Sequence, residues 1–99
     1  MTITSTKNLG QLTIALGGRL DTTTAPELER ELDDQCKGIT ALEINMAELE
    51  YISSAGLRVL LAAKKRMDAA DGALTVTNVC EEIMEVFEMT GFADILDIK

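Results

Sequence analysis

Histidine is absent from this 99-residue chain. That removes the side chain most used as a general base near neutral pH, the commonest metal ligand, and every Ser-His-Asp arrangement. Cysteine is scarce: Cys36 and Cys80 stand far apart, with no C-x-x-C spacing and no second pair to complete a zinc site. Each falls at or near the end of an expected element and reads as a small hydrophobe in a reduced, cytoplasmic setting, with a disulfide left open. Basic residues are few as well. The 9 Lys and Arg against 17 Asp and Glu give a formal net charge of −8. Such a balance speaks against nucleic acid, whose phosphates are gripped by clustered cations. The one basic cluster, Lys64-Lys65-Arg66, falls late on an expected helix, where cations suit the dipole and the solvent. No apolar run is long enough to span a bilayer, and the threonine-rich start lacks a signal-peptide core. Neither membrane insertion nor any metal or cofactor is expected.

What is present suffices for one folded domain over residues 1–99, with 46% hydrophobic and 26% charged residues. Leu12, Ile14 and Leu16 alternate with Thr13 and Ala15, which predicts a strand with one face on a core. Met1 to Lys7 is a weaker strand, and Asn8-Leu9-Gly10 closes the two into a hairpin. Gly17-Gly18 is read as the end of the second strand, with Arg19-Leu20-Asp21 leading out. Thr24-Ala25-Pro26-Glu27 fits a capping box, in which Thr24 accepts from an amide three residues on while Glu27 reaches back. Ala25, Leu28, Leu32 and Cys36 then share one helical face, and Gly38 suits the end.

Leu42, Ile44 and Met46 predict a further strand, followed by a short loop holding Glu48 and Glu50. Leu57, Leu60, Leu61, Ala63 and Met67 predict the buried side of a second helix, stopped by Asp71-Gly72. Leu74 to Asn78 is strand-like. Ile83, Val86, Phe87 and Thr90 face one way on a third helix, which Gly91-Phe92 closes in Schellman fashion. Asp94 to Ile98 reads as a last short strand or a frayed tail. The order β-β-α-β-α-β-α-β implies an α/β domain with a mixed, mostly parallel sheet, helices packed on it and an N-terminal hairpin.

Ile52-Ser53-Ser54-Ala55-Gly56-Leu57 carries the chemistry. Two serines sit where a helix begins, beside amides that lack intrahelical acceptors and welcome an anion. Serine there is a helix cap or a phosphate acceptor. Gly56 has no side chain, which lets a phosphate or a partner backbone come close.

Four motifs in order resemble the STAS domain of small anti-sigma factor antagonists, also called anti-anti-sigma factors. Gly18-Arg19-Leu20-Asp21 is similar to the family's G-x-L-D, and Leu42-Glu43-Ile44-Asn45-Met46 to its strand before the switch loop. Ile52 to Leu57 resembles apolar-D-S-x-G-L, with Ser53 where the family usually has aspartate. Val86 to Phe92 resembles the late helix ending in T/S-G-apolar. The resemblance implies a regulatory cycle. An unphosphorylated antagonist binds an anti-sigma factor that is also a serine kinase and so frees a sigma factor for transcription. Phosphorylation releases the antagonist, and a serine phosphatase reverses the change. By position the acceptor is Ser54, and the partner surface comprises Asp21, Ser53, Ser54, Ala55, Gly56, Leu57 and Arg58.

Two other readings compete. A STAS subunit of an ABC-type lipid transporter would dock a similar loop on its ATPase with no phosphorylation cycle. An enzyme would need paired acids such as Asp33-Asp34 or Glu81-Glu82, which fall on expected helix surfaces or starts without a pocket, so no catalytic activity is expected.

Overall fold

Alternating apolar residues put one face of a five-stranded sheet into the core. The computed structural model describes all 99 residues, with strands β1 (Thr2–Asn8), β2 (Gln11–Leu20), β3 (Ala41–Ile52), β4 (Ala73–Thr77) and β5 (Asp97–Ile98) side by side in chain order. The hairpin partners β1 and β2 run antiparallel, and the remaining neighbours are parallel. Helices α1 (Ala25–Gln35), α2 (Ser54–Ala69), α3 (Glu81–Thr90) and the single turn α4 (Phe92–Ile95) make the crossovers.

Leu12, Ile14 and Leu16 of β2, Leu42, Ile44 and Met46 of β3, and Leu74 and Val76 of β4 are buried. Between them Thr13, Ala15, Glu43, Asn45, Thr75 and Thr77 stay half-exposed on the other face. Onto the buried face α1 sends Leu28 and Leu32, α2 sends Leu57, Val59, Leu60, Ala63 and Met67, and α3 sends Ile83 and Phe87. The resulting cluster holds 24 buried residues, and no polar or charged residue is buried with them.

The expected order holds, with one turn of helix added, and the structure moves several boundaries. Gly17-Gly18 does not end β2. It lies inside the strand, where register shifts flank Gly17 and Gly18 adopts φ 91, so the strand kinks and runs on to Leu20. No loop follows Met46: β3 continues to Ile52, because the bulged pairing with β2 sets Glu48, Leu49, Tyr51 and Ile52 opposite Gly17, Gly18, Arg19 and Leu20, with Glu50 as the extra residue at a shift. The last segment divides into α4 and a two-residue strand on the edge of β4.

The capping box at α1 does not form. Thr24 itself is helical in backbone (φ −95, ψ −20) and its side chain caps nothing in the helix. Its hydroxyl instead donates to the Arg19 carbonyl at 2.7 Å and accepts from the Asp21 amide at 2.8 Å. On the second helix Val59 is buried where Leu61 is only half-buried. At the end of α3, Gly91 takes φ 83 and its amide donates to Glu88 at 3.4 Å, a left-handed stop in the expected place. No helix is long and apolar enough to cross a membrane.

Candidate functional site

Leu20 and Ile52, the last residues of β2 and β3, are register partners. The chain therefore leaves both strands at one edge of the sheet, with Asp21 and Ser53 next in line. The Ser53 amide donates to the Leu20 carbonyl at 2.9 Å, and the Ser53 carbonyl accepts from the Leu57 amide at 3.0 Å. A strand-type hydrogen bond thus passes directly into a helical one, and α2 starts without a connecting loop.

Ser53 is the N-cap residue of α2 by backbone (φ −103, ψ 176), yet its side chain makes no capping bond. Its Oγ is buried and has no hydrogen-bond partner. With no side-chain cap, the amides of Ser54, Ala55 and Gly56 have no acceptor from the helix and keep their partial positive charge. Ser54, the first helical residue, is exposed. Its hydroxyl is the one reactive group of the pair that solvent reaches.

Gly56 is buried, and the reason differs from the expected one. A Cβ there would lie 2.7 Å from Leu20 Cγ and 2.9 Å from Ile52 Cγ1. Glycine lets the helix sit down on the two strand ends; its bare side faces inward, away from any phosphate. Leu57 is buried behind it, Ala55 is half-buried, and Arg58 is exposed one turn beyond Ser54.

Asp21 organises the neighbouring turn. Its Oδ1 accepts from the amides of Thr23 at 3.0 Å and Thr24 at 3.1 Å, the Asx arrangement that fixes a chain entering a helix. The Thr24 amide foremost, with help from Thr23, the Thr24 hydroxyl and the charge of Arg19, holds its carboxyl below the usual 3.8, partly opposed by desolvation. The aspartate is thus committed to local structure at this edge of the sheet.

Sequence reasoning missed two features. Arg19 stacks over Tyr51 with its guanidinium carbon 4.0 Å from the ring centroid, and Tyr51 is 40% exposed. The two residues are 32 positions apart in sequence and meet only through the strand register, so no local pattern announces them. A groove of about 330 Å³ also opens between the starts of α1 and α2, where Pro26 and Glu29 face Ala55 and Arg58. The acid pairs behave as surface: Asp33 pairs with Arg66 across α1 and α2. Glu82 is held below its usual value by its own amide at the start of α3.

Known proteins share this architecture. A Bordetella bronchiseptica protein provisionally named anti-sigma factor antagonist BtrV is 36% identical over 99 residues, covering 99% of this chain and 85% of its own length. A Thermotoga maritima structure provisionally named an anti-sigma factor antagonist superposes with a TM-score of 0.90 at 17% identity, covering 97% of this chain and 84% of that one. The Bacillus cell fate determinant SpoIIAA, solved in its phosphorylated form, has a TM-score of 0.78 at 17% identity over 99% of this chain and 91% of its own. The STAS domain model matches residues 2–99, and with that match the chain belongs to the STAS domain family.

Proposed function

We propose that this protein is an anti-sigma factor antagonist, a cytoplasmic binding module and not a catalyst, which regulates transcription by switching partners. Unmodified, it docks the sheet edge formed by Asp21 and residues 53–58 on an anti-sigma factor that is also a serine kinase. The kinase phosphorylates Ser54, the complex separates, and a serine phosphatase returns the chain to its binding form. The observation that carries this reading is the exposed Ser54 hydroxyl on the first residue of a helix without a side-chain cap. The name of the Bordetella relative supports the antagonist role.

The physics of release is electrostatic. Phosphorylation adds about −1.5 to −2 charge and three acceptor oxygens. Free helix-start amides favour that charge by about 0.3–1 kcal/mol on the isolated domain. A partner packed over Ser54 would instead have to bury it, and an uncompensated charge at an interface costs about 3 kcal/mol or more. That loss weakens binding roughly a hundredfold.

The test is a reaction with the cognate kinase followed by site-resolved mass spectrometry and a binding titration. Ser54→Ala is expected to bind and take no phosphate, while Ser54→Asp binds at least about tenfold more weakly. Phosphate found only on Ser53 or a threonine overturns the assignment. Specific capture of a transport ATPase in place of the kinase would favour a transporter subunit.

A further inference from the structure

We propose that Arg58 clasps the phosphate once Ser54 is phosphorylated, so that one modification adds an anion to the docking edge and withdraws a cation from it. The inference rests on the Ser54 reading and deepens it. Ser54 and Arg58 are four residues apart in α2, and both are exposed. Helical side chains four apart are neighbours on the surface. Because each Cα–Cβ bond tilts toward the helix start, the Arg58 stem leans back over the turn that holds Ser54. The order matters too: an anion N-terminal to a cation at this spacing is the favourable arrangement.

Arg58 is free for that role. The ion pairs of the molecule are Arg19–Asp21, Lys64–Asp68, Arg66–Asp33 and Lys99–Asp97, and none includes Arg58. Across the groove it faces Glu29 of α1 without pairing to it. Among nearby charges, Asp21 is already occupied by the Thr23 and Thr24 amides and Arg19 by the Tyr51 ring. A phosphate outcompetes Glu29 for Arg58 because it carries more charge and offers three oxygens to a planar fork of donors. In the unmodified protein Arg58 remains an uncommitted cation on a chain of net charge −8, available to an acidic group of the partner.

The test uses the full chain with phosphoserine placed at position 54 during translation, so that no kinase is needed, in the Arg58 background and with Arg58→Ala and Arg58→Lys. The phosphate is titrated by ³¹P NMR. With Arg58 its second ionisation is expected about 0.3 unit or more lower than with alanine, lysine falling between. The gap should close in ~1 M salt. Equal titrations for arginine and alanine at low salt overturn the clasp. Kinase acceptance of Ser54 is scored separately. Acceptance with equal titrations removes the clasp and keeps the switch; a clear gap with no acceptance keeps the side-chain pairing and removes its regulatory meaning.

Discussion

Gly56 joins the packing of the sheet edge to the docking surface proposed there. The first turn of α2 presses on Leu20 and Ile52, and the place a methyl group would take is filled by their side chains at 2.7 and 2.9 Å. Alanine is the better helix former by roughly 1 kcal/mol, and by that measure Gly56→Ala would stabilise. Overpacking a filled site costs about 1–3 kcal/mol. The clash wins because Leu20 is fully buried and Ile52 nearly so, leaving neither room to turn away. With the clash in the upper part of that range, about 2–3 kcal/mol, less the helix gain of about 1 kcal/mol, Gly56→Ala is expected to lose about 1–2 kcal/mol net in urea unfolding and to weaken partner binding by lifting Ser54 off its sheet edge. An unchanged or raised midpoint would refute the packing argument.

Elements explain what the residue pattern foretold and what it hid. The alternation of Leu12, Ile14 and Leu16, and of Leu42, Ile44 and Met46, was legible because each run keeps its period of two and ends on the core. The three long helices were legible from their apolar faces. The second half of β3 was not, since Ala47 and Glu48 are both exposed and the period breaks at the bulged pairing with β2. A register shift between distant strands leaves no mark on local composition.

The start of α2 was legible from two serines before a leucine-rich run. Which serine faces solvent was not, because that depends on how the N-cap side chain turns. At α1 the capping box misled for a similar reason: Asp21, three residues earlier, already supplies the acceptor for the Thr24 amide. This turn sets a pH dependence. The carboxylate is held below 3.8 in the fold, so its contribution is complete at neutral pH and disappears as pH falls through the lowered value. Asp21→Ala should melt a few degrees below the wild type at pH 7. The difference should shrink once the pH drops below 3.8, and a constant difference across that range would refute the assignment.

At the scale of the molecule, the proposed switch could act by shape or by charge, and the packing favours charge. The core is a single cluster of 24 buried residues with nothing polar inside it, and tightly packed interiors resist gradual deformation. Ser54 stands outside that cluster on the first turn of a helix already anchored by Gly56, Leu57 and the Ser53 carbonyl. A phosphate added there meets free amides and solvent and displaces no buried side chain. The fold should therefore stay as it is while the surface charge moves further from −8 by nearly two. Amide spectra of the unmodified and phosphorylated forms are expected to differ at residues 19–25 and 51–60, with β4, α3 and α4 unshifted. Changes spreading into those distant elements would mean that the phosphate repacks the core, and release would then be a conformational event instead of an electrostatic one.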